Sequence, residues 1–153
     1  MFDISRKIGF ALFFLTVVLS GVALSTRSEG ANPNPAVPGQ PEKRTALVVG
    51  IGAYQGGPLR NPVNDARAMA RTLKDLAFDV TLRENLDQKD MKREIQAFGE
   101  KIQKGGVGLF YFAGHGVQVN GHNYLIPVGA SIEHEKQVEY EAVDMGTVLN
   151  EMD

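Results

Sequence analysis

The stretch that most constrains the fold is Val-Gly-Leu-Phe-Tyr-Phe-Ala at residues 107–113, the most apolar run outside the N-terminal region. A short continuous run of this kind, closed by glycines, is typical of a strand that is covered on both faces. Gly114, His115 and Gly116 follow it directly. Functional groups of parallel α/β sheets collect beyond the carboxyl ends of the strands, so this imidazole is the first candidate for a functional residue.

The segments before this strand alternate between strand and helix patterns. Residues 45–51, TALVVGI, form another apolar, β-branched run that ends on glycine-rich sequence. A helix is predicted to follow, with Asn61 as its cap and Pro62 as its first residue. Apolar residues alternate at 78–82 and predict a strand, after which Asp87 opens a second amphipathic helix.

This order of elements predicts the architecture. Strands and helices that alternate with short connections favour a three-layer α/β sandwich with a mainly parallel sheet. After Gly-His-Gly, the chain is predicted to return as a hairpin with Asn120-Gly121 as its turn. A last helix is predicted near the C-terminus, and its buried face should consist of Met145, Val148, Leu149 and Met152.

The N-terminal region has the pattern of a targeting signal. Two basic residues precede the apolar stretch 8–24, and small residues follow at the spacing that a signal peptidase reads. We assign residues 1–25 to a signal peptide or an N-terminal anchor, residues 26–43 to a Pro-rich linker, and residues 44–153 to the folded domain. The protein is therefore expected to be exported, periplasmic or secreted, with a membrane anchor at 8–24 only if that stretch stays uncleaved.

Composition excludes several classes of function. A formal net charge of −2, with acidic and basic residues interspersed, offers no basic face for nucleic acid. The chain contains no cysteine, which excludes disulfides, thiolate metal sites and a cysteine nucleophile within these residues. His122 and His134 lie seven and nineteen residues after His115, a spacing that matches no helical metal-binding pair. We predict no metal and no cofactor.

The glycines at 50, 52 and 56 follow a strand and suggest a nucleotide-binding loop as a weaker alternative. Pro58 and Pro62 delay the next helix, so no helix N-terminus directly follows these glycines to meet a pyrophosphate. Loop geometry is the simpler interpretation.

His115 itself has two interpretations. A histidine after a strand is often a hydrogen-bonded structural residue. Its two glycines, however, allow a sharp turn and a close approach of substrate, and they leave the Gly116 N–H free to point into a cleft. An imidazole in this setting suits general acid and base catalysis near neutral pH.

From about Arg44 onward, two segments carry a specific resemblance: ALVVGIGAYQGGPLRNPVNDARAMARTLKDLAFDV and GLFYFAGHGVQVNGHNYLIPV. Together they resemble the N-terminal part of the caspase-like cysteine peptidase domain, in the bacterial branch akin to metacaspases. The resemblance implies that His115 is the catalytic dyad histidine and that the Gly116 N–H contributes to the oxyanion hole. It also implies that Asp65 lines the S1 pocket and accepts an Arg or Lys side chain at P1 of a peptide or protein substrate. An acidic residue in the first turn of a helix is also stabilising for the helix itself, whatever the substrate.

The sequence departs from the family in one major respect. The resemblance places the nucleophile on the next core strand, and in caspases the histidine lies about 50 residues before the cysteine, so the cysteine is expected beyond Asp153. These 153 residues are therefore expected to be inactive as a peptidase and to leave one edge of the central strand uncovered. The alternative is a non-catalytic caspase-like module that binds peptides or partner proteins. Smaller departures are Pro62, where many relatives carry cysteine, and Ala77, where glycine is usual.

Overall fold

A computed structural model describes residues 15–20 and 42–153 of the chain. Its strands are β1 (Leu15–Ser20), β2 (Arg44–Gly50), β3 (Asp79–Glu84), β4 (Val107–Ala113), β5 (Gly116–Val119), β6 (His122–Leu125) and β7 (Val143–Asp144). Its helices are α1 (Pro62–Asp75), α2 (Gln88–Ile102), α3 (Val138–Glu141) and α4 (Met145–Met152). The main sheet has the order β1-β4-β2-β3, in which β2 runs parallel to β3 and β4, and β1 runs antiparallel to β4.

The main sheet is covered by helices on both faces, as a three-layer α/β sandwich requires. Successive residues of a strand point to opposite faces, so β2 and β4 each divide their apolar side chains between two cores. One core joins these strands to α1, and the other joins them to α2 and α4. The predicted fold class is therefore confirmed.

The helix starts agree with the sequence in position but differ in detail. Helix α1 begins at Pro62, as predicted, but the Asn61 side chain makes no capping hydrogen bond, and its backbone is already helical at φ −89° and ψ −35°. The predicted capping role of Asn61 is therefore wrong. Asp87 does cap α2, because its carboxylate accepts a hydrogen bond from the backbone N–H of Asp90 at 2.8 Å.

A second, antiparallel sheet follows the main one, in the order β5-β6-β7. Asn120 and Gly121 connect β5 to β6 with φ values of 51° and 83°, the left-handed pair that a tight hairpin turn of type I′ uses. The hairpin prediction is confirmed. A third apolar cluster lies between this hairpin and α3, and it contains Val119, Tyr124, Ile126, Val138 and Ala142.

Two expectations need correction. Strand β1 pairs along the whole of β4, from Leu15 opposite Phe112 to Ser20 opposite Val107, so the edge that we expected to be uncovered is covered within these residues. Leu149 is 43% exposed, because α4 buries the narrower stripe of Met145, Val148 and Met152.

The N-terminal assignments fall mostly outside the described residues, namely at 1–14 and 21–41. The signal or anchor at 1–25 and the linker at 26–43 therefore stay predictions. Within the described part of the chain, no helix combines the length and the apolar character that a membrane span needs.

Candidate active site

The candidate site lies where β4 ends and β5 begins. His115 is the second residue after β4 and directly precedes β5, so it connects the main sheet to the hairpin. Its side chain is half-buried, whereas Gly114 and Gly116 are both buried. The imidazole is therefore held at the carboxyl edge of the parallel strands, where the sequence predicted it.

Tyr54, from the loop after β2, lies against His115. The ring centroids of the two side chains are 4.5 Å apart with the planes tilted by 48°. The Tyr54 hydroxyl accepts a hydrogen bond from the backbone N–H of His115 at 2.9 Å and donates one to the backbone carbonyl of Ile126 at 2.9 Å. Burial raises the pKa of Tyr54 far above its usual value. The hydroxyl therefore stays protonated and can donate its hydrogen bond to the Ile126 carbonyl.

The imidazole of His115 also makes a hydrogen bond with the backbone of Gly57. This bond favours the protonated ring, so the imidazole is its donor. Burial is the larger influence, and it lowers the pKa of His115 below the ordinary value of a histidine. The ring is therefore mainly neutral at pH 7, and a neutral imidazole can act as a base.

The glycine before His115 combines the sharp turn that the sequence suggested with close packing. Neither Gly114 nor Gly116 is among the residues with positive φ. A Cβ atom on Gly114 would lie 2.7 Å from the Phe112 ring and 2.7 Å from the Tyr54 hydroxyl, so any other residue there would displace one of these side chains. The chain does bend at Gly114, as the predicted sharp turn requires, and close packing is a further reason for a glycine at this position.

The backbone N–H of Gly116 points away from β6, the strand with which β5 pairs. Gly116 lies opposite Leu125 in the β5–β6 ladder, while Ile126 donates a backbone hydrogen bond to His115 at 3.0 Å. Since hydrogen-bonded and non-hydrogen-bonded pairs alternate along an antiparallel ladder, Gly116 occupies a non-hydrogen-bonded position. Its N–H therefore points to the outer side of β5, where an oxyanion could accept from it.

The glycines of the loop after β2 also have a packing explanation. A Cβ on Gly50 would lie 2.7 Å from the Ala66 Cβ and 2.8 Å from the Pro62 carbonyl, and one on Gly52 would lie 2.6 Å from the Leu59 carbonyl. These glycines let the start of α1 approach the sheet closely. The structure thus gives them a role that needs no nucleotide.

Asn85, immediately after β3, holds the start of this loop, a role that the sequence did not reveal. Its side-chain oxygen accepts hydrogen bonds from the backbone N–H groups of Gly52 and Ala53, at 2.9 and 3.0 Å. Its own φ is 51°, a left-handed conformation that asparagine tolerates better than most residues. The sequence signal that could have indicated this role is an asparagine directly after a strand, which is a typical turn position.

Asp65 lies in the first turn of α1 and is partly buried. Its negative charge is the second cause, after burial, of a raised pKa at Tyr111 of β4. The carboxylate therefore lies close enough to the carboxyl half of β4 to influence a side chain there. Asp65 therefore lies on the α1 side of the sheet edge where β4 ends and His115 follows.

The other two histidines do not join the site. His122 is 65% exposed at its side chain, and its Nδ1 lies 3.6 Å from a carboxylate oxygen of Asp144. His134 is exposed, and its backbone N–H donates to the Gln137 side chain at 2.8 Å in a 3₁₀ turn. Among residues 15–20 and 42–153, no three potential metal ligands of the His, Cys, Asp or Glu type are clustered.

The fold and the site define a three-layer α/β domain with a histidine between glycines at the carboxyl edge of its sheet, and comparison with known sequences identifies the family. The family model of the caspase domain, a peptidase family, matches residues 43–148. The chain belongs to this family, and the resemblance inferred from the sequence is confirmed at that level.

Two curated mammalian proteins are similar to the chain. One is the human mucosa-associated lymphoid tissue lymphoma translocation protein 1, which is 32% identical over 88 residues, or 57% of this chain and 11% of the relative. The other is its mouse homolog, 33% identical over 95 residues, or 60% of this chain and 11% of the relative. The chain thus spans a small part of the length of these relatives. The bacterial metacaspase branch stays a prediction.

Proposed function

We propose that this domain is the histidine-bearing part of a caspase-like cysteine endopeptidase that cleaves after Arg or Lys. The observation that carries the proposal is the position of His115, a half-buried neutral imidazole beside the outward N–H of Gly116 at the carboxyl edge of the sheet. Membership of the caspase domain family supports the reaction class.

In this reaction His115 acts first as a base and then as an acid. The imidazole takes the proton of a cysteine thiol, and the thiolate attacks the carbonyl carbon of the scissile peptide bond. The Gly116 N–H donates to the oxyanion that forms. His115 then protonates the leaving amine as the C–N bond breaks, and water hydrolyses the remaining thioester. The thiol has to come from outside the present 153 residues, because they contain no cysteine.

Asp65 is the proposed selector for a basic P1 side chain. A carboxylate at the edge of the sheet, on the same side as the start of α1, offers a charged partner for a guanidinium or an ammonium group. Its influence on Tyr111 supports a location beside β4 rather than one in open solvent.

The test is a panel of fluorogenic peptides that differ only at P1, with Arg, Lys, Asp or Leu. The 153 residues alone should show no turnover that a thiol-alkylating reagent abolishes. The product of the native reading frame should hydrolyse the Arg and Lys peptides. Asp65→Asn should reduce the preference for Arg over Leu by about tenfold, chiefly through KM. Asp75→Asn, at the other end of α1, is the matched control and should leave the preference unchanged.

The lack of cysteine in these residues favours a second candidate, a non-catalytic module that binds peptides or partner proteins. If the product of the native reading frame binds Arg peptides without hydrolysing them, this second function replaces the first. Turnover that resists thiol alkylation, or a preference for Asp at P1, would contradict the endopeptidase proposal.

We also propose that the protein is exported, on the basis of the basic and apolar pattern of residues 1–25. Intact-mass measurement in a host with a working secretion system tests this. A mature form that lacks about the first 25 residues indicates cleavage of a signal peptide. A full-length form in the membrane fraction indicates an anchor, and a full-length form in the cytoplasm would refute export.

A further inference from the structure

Tyr54 makes contacts that the reaction does not itself require. It lies in the loop after β2, yet it contacts the residue that directly precedes β5 and the residue that directly follows β6. Its ring also packs against two apolar clusters, the one under α2 and α4 and the one under the hairpin. A single side chain therefore connects the main sheet, the second sheet and the candidate catalytic histidine.

The hydroxyl of Tyr54 occupies a place that a backbone hydrogen bond would otherwise fill. In the β5–β6 ladder, alternation makes His115 and Ile126 a hydrogen-bonded pair. Ile126 donates directly to the His115 carbonyl at 3.0 Å. The reciprocal bond, from His115 to the Ile126 carbonyl, runs instead through the Tyr54 hydroxyl, with 2.9 Å on each side.

This insertion holds the two strands apart at the point where His115 leaves the ladder. Without the hydroxyl, the His115 N–H and the Ile126 carbonyl would stay unpaired in a largely buried place or would close onto each other directly. Direct closure would move the His115 backbone toward β6 and change its position relative to the Gly57 backbone, to which its ring is hydrogen-bonded. The ring of Tyr54 contacts the imidazole in a tilted arrangement, with the ring centroids 4.5 Å apart, and so limits rotation of the His115 side chain.

We propose that Tyr54 is a positioning residue that fixes the backbone and the ring orientation of His115, and that Gly114 exists to admit its hydroxyl. The role of Gly114 follows from the 2.7 Å that would separate a Cβ there from the Tyr54 oxygen. The inference rests on the proposed function only in assigning catalysis to His115. The geometry itself can be tested without any turnover.

The experiment is NMR of the 153-residue chain labelled with ¹⁵N, in which the ring nitrogen shifts of His115 report its tautomer. The wild-type imidazole should populate one tautomer at pH 7.5, because one nitrogen is committed to Gly57. Tyr54→Phe keeps the ring but removes the hydroxyl, so the tautomers should become mixed. Protection of the His115 amide from exchange should fall by about tenfold, the effect of one lost hydrogen bond.

Two matched controls accompany this variant. Tyr124→Phe removes a hydroxyl from the tyrosine beside His122, with ring centroids 6.5 Å apart, and should leave His115 unchanged. Gly114→Ala should reproduce the effects of Tyr54→Phe, whereas Gly56→Ala should not, because a Cβ on Gly56 meets no atom within 4 Å.

The proposal is overturned if Tyr54→Phe folds and leaves both the His115 tautomer and the amide protection as in the wild type. If the variants do not fold, the wild-type chain decides the question. A slowly exchanging Tyr54 hydroxyl proton with a nuclear Overhauser effect to the His115 amide proton is expected, and its absence would refute the inserted hydroxyl. A failure of peptidase activity alone would count against the proposed function and not against this geometry.

Discussion

The side-chain oxygen of Asn85 lies 2.9 Å from the backbone nitrogen of Gly52, and this hydrogen bond ties the end of β3 to the loop that carries Tyr54. The same oxygen accepts from Ala53 at 3.0 Å. In the reverse direction, the Asn85 backbone N–H donates to the Gly50 carbonyl at 2.9 Å. One residue thus holds both the exit of β2 and the first part of the loop.

Asn85→Gly should destabilise the protein by about 1 to 2 kcal/mol, because two loop N–H groups lose their acceptor while the left-handed φ remains allowed. Urea denaturation followed by circular dichroism measures the change. Asn85→Asp retains an acceptor at the same place and should cost clearly less. Equal losses for the two variants would show that the amide group, rather than the oxygen, matters at this site.

Ala77→Gly should stabilise the protein by about 0.5 to 1 kcal/mol. Ala77 has a φ of 62°, a left-handed conformation that is strained for alanine and free for glycine. Ala68→Gly, at an exposed position inside α1, is the control and should destabilise by about 1 kcal/mol. Thermal unfolding of the wild type and the two variants gives the comparison. A loss of stability in Ala77→Gly would contradict the interpretation that the backbone of Ala77 is strained.

The stability of the wild-type protein should fall as the pH drops from about 6.5, in part because of His115. Burial lowers the pKa of this histidine in the folded state, so the unfolded chain binds its proton at higher pH than the folded protein does. The histidine therefore favours folding above the unfolded pKa, and this contribution is lost as the pH falls through the folded pKa. Denaturant titrations at pH 8, 6.5 and 5.5 should show a shallower decline for His115→Gln than for the wild type. His122→Gln is the control, and an equal decline in His115→Gln and the wild type would contradict the prediction.

The sequence predicted what depends on local pattern and left out what depends on distant contacts. The start of α1 at Pro62, the cap at Asp87 and the Asn120-Gly121 turn follow from backbone preferences of a few neighbouring residues, and all three are present. Tyr54 could not be found in this way, because its partner Ile126 is 72 residues away. The exposure of Leu149 was missed for a similar reason, since helical spacing gives the width of an apolar stripe but not which part of it meets a neighbour.

The residues of the candidate site divide in the same way, into those that a local sequence pattern indicates and those that depend on distant contacts. His115 was recognisable because glycines on both sides of a histidine after an apolar strand form a compact local pattern. The physical reason for Gly114 was not recognisable, because it depends on the Tyr54 hydroxyl and the Phe112 ring arriving from elsewhere in the fold. The covering of the β4 edge by β1 depends on a pairing between residues about 90 positions apart, a separation at which sequence pattern gives no register.

The central claim is that His115, and not another histidine, carries the acid and base chemistry. The measurement is the turnover of a fluorogenic Arg peptide by the product of the native reading frame, compared among the wild type, His115→Ala and His122→Ala. His115→Ala should lower kcat by about a thousandfold with little change in KM, and His122→Ala, at an exposed position beside the hairpin turn, should change kcat by less than about twofold. Loss of turnover in His122→Ala together with full turnover in His115→Ala would contradict the account.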